Sequence, residues 1–195
     1  MRTILSKKES EKKAKKKQLV GGIILIVIMF LSTIGYSILS NEKTSDKTQN
    51  ESLNYKGYVF TKNYGAWDLS IGQLNFSFLY SPKEVPIFDS EINYLNSYQG
   101  KPLYILSSSS DAELEICRNL FYLNGIVERV QNACLEGEQC SGDYPVKTCQ
   151  DNFIIIKTTN TSSIKQQDNC VFITGKQENL AKISDSFLLK TLDLQ

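Results

Sequence analysis

The sequence predicts a single N-terminal transmembrane helix followed by an exported α+β domain that is stabilised by disulfide bonds. Three observations predict this class. Residues 19–39 form a run of 21 residues without a charge, which is long enough to cross the hydrocarbon core of a bilayer as a helix. All five cysteines lie beyond that run. From residue 55 onward the chain mixes the residue patterns of strands and helices.

The charges around the apolar run predict how the chain is oriented. Residues 1–18 carry eight lysines and arginines against two glutamates, a net charge of +6, so −5 remains for the rest of a chain whose formal charge is +1. A dense basic flank stays on the cytoplasmic side of a membrane. We therefore expect residues 1–18 to be a cytoplasmic tail and 19–39 to be an uncleaved signal-anchor in the lipid bilayer of the cell membrane. Aromatic residues do not interleave the lysines, so no nucleic-acid partner is expected.

Residues 12–39, a basic stretch followed by a long apolar one, resemble the class III signal of archaeal and bacterial pilins. Those leaders end in Gly or Ala, whereas Lys17 stands at that position here. The resemblance implies a pilin-like subunit, whose apolar helix would run on into the domain and pack against its sheet. The polar residues at 40–54 favour a different arrangement, because their composition is typical of a linker between membrane and domain.

The exported domain, expected at residues 55–195, begins with the pattern of a three-stranded antiparallel meander. Apolar and polar residues alternate in WDLSI (67–71) and LNFSFLY (74–80), and GYVFTK (57–62) precedes them across the turn signal NYG. Such alternation indicates half-buried strands. Gly72-Gln73, between the second and third strands, suits a tight turn.

The rest of the domain predicts the order β-α-β-β-α, with the helices on one face of the sheet. KPLYILSS (101–108) is typical of a buried strand. FIIIK (153–157) and CVFIT (170–174) are typical of two more, and the short link between them favours a hairpin. The last segment, 178–194, has apolar residues at helical spacing and predicts the C-terminal helix.

The first helix of this part is predicted from Ser110 to Cys134. Ser110 and Glu113 have the spacing of a capping box. Apolar residues then continue at intervals of four and three, which is one face of a helix: Ile116, Leu120, Leu123, Val127, Val130 and Cys134. Asn124-Gly125 interrupts the pattern and is the alternative site for a turn.

The cysteines are predicted to form disulfides, because exported compartments favour oxidised thiols. The chain has no histidine and no C-x-x-C pair. Zinc sites and thioredoxin-like redox motifs usually need such residues, so neither a metal nor any other cofactor is expected.

Four of the five cysteines can form two bridges, and spacing favours one arrangement among 15. The turn residues at 142–145 favour Cys140 with Cys149. The apolar face of the predicted helix would direct Cys134 toward Cys170. Cys117 would then be a buried free thiol.

The sequence also contains candidate glycosylation sites and candidate binding tyrosines, and the patterns that support them are less specific than that of the cysteines. Asn50, Asn75 and Asn160 match the N-glycosylation pattern. Seven tyrosines in the strand-rich part are either strand formers or, where exposed, candidates to bind sugars or proteins: Tyr55, Tyr58, Tyr64, Tyr80, Tyr94, Tyr98 and Tyr104.

The absence of histidine excludes histidine-based acid–base catalysis, and no nucleophile elbow, phosphate-binding glycine loop or calcium loop occurs. No catalytic residue is therefore assigned. The leading hypothesis is a membrane-anchored extracytoplasmic binding or scaffolding module of the cell envelope, with an unknown envelope protein or glycan as partner. The alternatives are an envelope enzyme with a site built from scattered carboxylates or serines, and the pilin-like subunit.

Overall fold

The computed structural model describes residues 20–25, 28–29 and 51–195. The chain forms two compact units, Met1–Gln49 and Asn50–Gln195. In the first unit the described residues are helical and exposed. Among all the described residues, no helix has the length and apolar character needed to cross a membrane. The predicted tail and most of the predicted membrane span and linker lie outside the described residues.

The second unit opens with a four-stranded antiparallel sheet, the meander, in the order β1-β2-β3-β4. The strands are β1 (Ser52–Tyr55), β2 (Tyr58–Asn63), β3 (Ala66–Ile71) and β4 (Leu74–Phe78). The three predicted strands are confirmed. β1 is an additional strand that begins inside the segment predicted to be a linker, and its Leu53 pairs with Phe60.

The alternation along the meander produces one apolar and one polar face. The inner face buries Phe60, Trp67, Leu69, Phe76 and Phe78. The outer face carries Thr61, Asp68 and Ser77, which are cross-strand partners on β2, β3 and β4.

A second sheet has five strands in the order β10-β11-β9-β5-β6. The remaining strands are β5 (Pro102–Ser107), β6 (Arg129–Asn132), β7 (Cys134–Leu135), β8 (Val146–Lys147), β9 (Phe153–Thr158), β10 (Ser163–Gln167) and β11 (Cys170–Gly175). β7 and β8 form a small sheet of their own. The neighbouring strands of the five-stranded sheet are parallel except for β10, which is antiparallel to β11.

The predicted hairpin of FIIIK with CVFIT is wrong. These segments are β9 and β11, which pair in parallel because β10 lies between them in the chain and reverses its direction. β10 is a mostly polar edge strand whose only fully buried side chain is Ile164, so its sequence, SIKQQ, lacks a strong strand pattern.

The helix predicted from Ser110 to Cys134 is too long. The α-helix α1 spans Ser110–Cys117 and continues as a π-helical segment, Arg118–Tyr122. The chain then turns at Asn124-Gly125, where Gly125 has φ +56°, a conformation that favours glycine. Val130 and Cys134 lie in β6 and β7. The N-cap is Ser109, one residue earlier than predicted, and its hydroxyl accepts from the Ala112 amide at 3.4 Å.

The C-terminal helix, α2 (Leu180–Thr191), is confirmed and follows a 3-10 turn at Gln177–Asn179. A second 3-10 turn spans Leu95–Ser97. Both helices share one buried cluster with the inner face of the meander and one face of the five-stranded sheet. The other sheet face buries Tyr104, Phe153 and Ile155 beneath the disulfide-bonded segment.

Two disulfides link Cys134 with Cys140 and Cys149 with Cys170, with Cα–Cα distances of 5.9 and 4.9 Å. The predicted pairing, Cys140–Cys149 and Cys134–Cys170, is therefore wrong, although the same four cysteines are used. Cys117 is a buried free thiol.

The pairing follows from the local strands. Cys134 lies in β7, and its amide donates to the carbonyl of Pro145 at 2.9 Å. The turn at 142–145 therefore brings the chain back onto Cys134 and keeps Cys140 inside that loop. The Asn169 amide donates to the Cys149 carbonyl at 3.0 Å, which places Cys149 beside the start of β11, where Cys170 lies.

Candidate ligand-binding groove and buried acid pair

The outer face of the meander carries a groove. Two depressions of about 800 and 490 Å³ adjoin there and share Asn63, Asp68, Ser77 and Arg118. These four residues define the groove. The first three come from β2, β3 and β4, and Arg118 comes from the first residue of the π-helical segment. Such π-helical turns are frequent at functional sites.

The lining of the groove offers both hydrogen-bond donors and acceptors. The Asn63 amide donates to a carboxylate oxygen of Asp68 at 2.8 Å. The Thr61 and Ser77 hydroxyls lie on either side of Asp68 in the strand register. Within the described residues, Arg118 forms its ion pair with Glu115 and not with Asp68, so the groove is lined by one carboxylate and one guanidinium that are not paired with each other.

Two exposed tyrosines line the two depressions, one in each. Tyr58 lines the larger depression and Tyr64 lines the smaller one. Tyr58 is 38% exposed and Tyr64 is 110% exposed. The Tyr64 side chain, at the turn between β2 and β3, is therefore fully accessible to solvent. A tyrosine ring combines a broad apolar surface with a polar hydroxyl.

The other tyrosine candidates do not join this site. Tyr98 and Tyr104 are buried, and Tyr94 is exposed on a different cavity. Tyr55 and Tyr80 are partly buried against the core. Trp67 belongs to the core, as its alternating strand predicts.

The free edge of β4 is covered by side chains from the neighbouring helical elements. Asn124 accepts from the Asn75 amide at 2.8 Å and donates to the Asn75 carbonyl at 2.9 Å. Asn119 bonds both backbone groups of Ser77 in the same way, at 2.8 and 2.9 Å. Each asparagine therefore replaces one residue of a missing neighbouring strand.

Asp185 extends this arrangement, because its carboxylate accepts from the Tyr80 amide at 2.8 Å. We call Asn119, Asn124 and Asp185 the clasp. The clasp attaches the meander to the helices and leaves the Asn75 and Ser77 backbone without free hydrogen-bonding capacity toward a new strand.

Asp185 also forms a buried acid pair with Glu115. Their exposures are 0% and 2%. One Glu115 oxygen lies 2.8 Å from an Arg118 guanidinium nitrogen. Burial, followed by the neighbouring Glu115 charge, raises the pKa of Asp185 well above its usual range, and the Tyr80 amide and Arg118 oppose this only in part.

The free thiol is not a candidate nucleophile. Burial, followed by the charge of Glu113, raises the pKa of Cys117 to about 11. The thiol therefore stays protonated at neutral pH, and only the thiolate is an effective nucleophile.

A second cavity of about 720 Å³ is lined by Asp89, Glu91, Asp193 and Lys190, among other residues. The Lys190 ammonium donates to the Phe88 carbonyl at 3.0 Å. No group of three or more metal-ligating side chains occurs in the part of the chain that the structure describes.

The predicted glycosylation positions differ in their surroundings. The Asn75 side chain is exposed on β4 and lines the larger depression, where it accepts from the Ser70 hydroxyl at 2.8 Å. Asn160 is exposed in the loop between β9 and β10. Asn50 lies outside the described residues. A glycan on Asn75 would occupy the groove.

Comparison with protein-family models, curated proteins and solved structures gives no match to this chain.

The sequence did not reveal the clasp or the acid pair. One local signal was present: Asn119 precedes Leu120 and Phe121 inside the predicted helix in CRNLF, and the structure buries it fully. A buried asparagine in a helical segment needs partners for its amide, and here they lie 42 residues away at Ser77.

Proposed function

We propose that this chain is a membrane-anchored extracytoplasmic binding module of the cell envelope, and that its groove binds a hydroxyl-rich glycan. The observation that carries the proposal is the lining of the two depressions, where hydroxyl, amide, carboxylate and guanidinium groups come from three strands and one helical turn and one exposed tyrosine lines each depression. Sugar hydroxyls donate and accept at once, so a mixed lining suits them. Ligand sites generally use a few such convergent polar groups for specificity.

The clasp favours a glycan over an extended peptide. Peptides often bind by adding a strand to an open sheet edge, where the backbone supplies most of the affinity. At β4 the outward backbone groups of Asn75 and Ser77 are already bonded to Asn124 and Asn119. At this edge the groove therefore offers a ligand polar side-chain groups and not free backbone hydrogen-bonding groups.

The location of the module is inferred from the sequence and supported by the cysteines. The basic tail and the apolar run at 19–39 predict an anchor with the domain outside. Two disulfides in the domain fit an oxidising compartment.

The tyrosines give the sharpest test. We expect Tyr58→Ala and Tyr64→Ala each to weaken binding of the full chain to a purified envelope polysaccharide by about tenfold, if each ring contributes about 1–1.5 kcal/mol of contact. Tyr94→Ala is the control, because it removes a ring that lies away from the groove and whose exposure, 58%, falls between those of Tyr58 and Tyr64. Binding is measured by affinity electrophoresis in the polysaccharide, with detergent present.

Three outcomes would contradict the proposal. The first is equal loss in all three variants. The second is unchanged retention in both groove variants. The third is a glycan found attached at Asn75 by mass spectrometry, because it would fill the groove.

The alternative proposal is an envelope enzyme, and its best candidate active site is the cavity of about 720 Å³. Asp89, Glu91 and Asp193 would supply its carboxylates. Turnover of an envelope polymer that disappears in Asp89→Asn or Glu91→Gln would favour the enzyme over the binding module. The pilin-like alternative rests on residues 12–39, which lie largely outside the described residues.

A further inference from the structure

The buried acid pair contains two oxygens whose partners are missing from the protein. Asp185 uses one oxygen to accept from Tyr80, and Glu115 uses one to hold Arg118. The second oxygen of each carboxyl is buried without a donor. Glu115 is near enough to Asp185 for its negative charge to raise the pKa of Asp185. One proton placed between them satisfies both oxygens, since a protonated carboxyl is a donor.

The charges around the pair also favour a single proton. The charged groups that act on Asp185 within the described residues are Glu115 and Arg118, and the meander adds the Tyr80 amide. The strands β10 and β11, which also pack against α2, present Ile164, Val171 and Ile173 to the shared core. With one proton, the net charge of Asp185, Glu115 and Arg118 is zero.

Arg118 connects this pair to the groove. Its side chain is 29% exposed, with one face on Glu115 and the other in the groove. We infer that the proton shared by Glu115 and Asp185 regulates the groove by setting how strongly Arg118 is held away from the ligand. This inference rests on the proposed function.

The direction follows from electrostatics. When Asp185 loses its proton, a second buried negative charge attracts the guanidinium, which turns toward the pair and withdraws from the groove. Ligand binding through Arg118 therefore weakens as the pH rises through the raised pKa of Asp185.

The same proton predicts the pH dependence of folding. A carboxyl whose pKa is raised by folding contributes stability at low pH, and that contribution is lost as the pH rises from the usual range of aspartate to the raised pKa. Asp185→Asn imitates the protonated form, because its amide oxygen can accept from Tyr80 and its amide nitrogen can donate to Glu115.

The experiment compares the full chain in detergent with Asp185→Asn and with the control Glu128→Gln, which removes an exposed carboxylate. Infrared difference spectra report the carbonyl band of a protonated carboxyl, and ¹⁵N NMR reports the Arg118 side chain. We expect the band at neutral pH in the parent chain and in the control. On raising the pH the band disappears and the Arg118 signal shifts, whereas Asp185→Asn shows neither change.

Thermal unfolding supplies a second measurement, with Asp185→Asn expected to raise Tm at neutral pH by roughly 3–6 °C and to flatten its pH profile. A parent chain without the carboxylic-acid band at neutral pH would overturn the shared proton. A band that titrates without any shift of Arg118 would overturn the regulation alone. If both spectroscopic results hold while the tyrosine variants bind normally, the proposed function fails and the acid pair stands.

Discussion

The fully buried asparagine of the clasp is the residue whose removal we expect to cost most at the meander. Asn119 bonds the amide and the carbonyl of Ser77 and also donates to the Glu115 carbonyl at 3.0 Å. Asn119→Ala leaves these groups without partners in a buried or partly buried region. We expect a loss of about 2–4 kcal/mol in the free energy of unfolding, measured by chemical denaturation of the full chain.

Asn124 provides the matched control for this prediction. It bonds Asn75 with the same bidentate geometry, but its contact with that residue is exposed. Water can replace the lost bonds there, so Asn124→Ala is expected to cost only about 0.5–1 kcal/mol. Equal losses in the two variants would show that burial does not set the strength of the clasp.

At the scale of elements, the disulfide pairing can be read from one tryptic digest. Trypsin cleaves after Arg129, Lys147, Lys157, Lys165 and Lys176. The structure predicts that peptide 130–147 carries an internal bridge and that 148–157 is joined to 166–176. Mass spectrometry of the non-reduced digest, compared with the reduced one, distinguishes these products. A single product that joins all three peptides would contradict this pairing, and it is the product expected if Cys134 and Cys140 bond Cys149 and Cys170 instead of each other.

The elements that the sequence predicts correctly are those with strong local patterns. β2, β3 and β4 alternate apolar and polar residues, and this alternation matches a sheet with one buried face. The C-terminal helix is also predicted by a local pattern, because its apolar residues recur at helical spacing. In contrast, β10 buries little beyond Ile164, so its sequence does not distinguish a strand from a loop.

In the first helix, the apolar spacing typical of a helix continues in the sequence beyond the point where the helix ends in the structure. The apolar spacing keeps its phase past Asn124-Gly125, yet the chain turns there and Val130 becomes part of β6. The Asn124 amide bonds Asn119 and Asn75 instead of facing solvent on a helix. This tertiary contact and the left-handed conformation of Gly125 together outweigh the tendency of the apolar spacing to form a helix. Because the helix was predicted too long, Cys134 was placed on a helix instead of in β7.

At the scale of the whole molecule, the groove and the acid pair arise from contacts between distant parts of the chain. Ser77 and Asn119 are 42 residues apart, and Tyr80 and Asp185 are 105 apart. Sequence patterns report local periodicity, whereas these pairs depend on how the meander packs against the helices. The sequence could therefore suggest exposed tyrosines as binding residues without showing that Tyr58 and Tyr64 line the same groove as Arg118.

The orientation of the chain in the membrane is a prediction from charge alone, and the predicted linker allows a direct test. Lys43 and Lys47 lie between the apolar run and β1, and the apolar run itself contains no lysine or arginine. Trypsin added to intact cells should therefore cut at the linker and release the domain, while an epitope at the N-terminus stays protected on a short membrane-bound fragment. Permeabilised cells, in which both sides are cut, are the control. A protected domain with a cleaved N-terminal epitope would reverse the orientation, and it would also place Cys134, Cys140, Cys149 and Cys170 in a reducing compartment, where their bridges are not expected to persist.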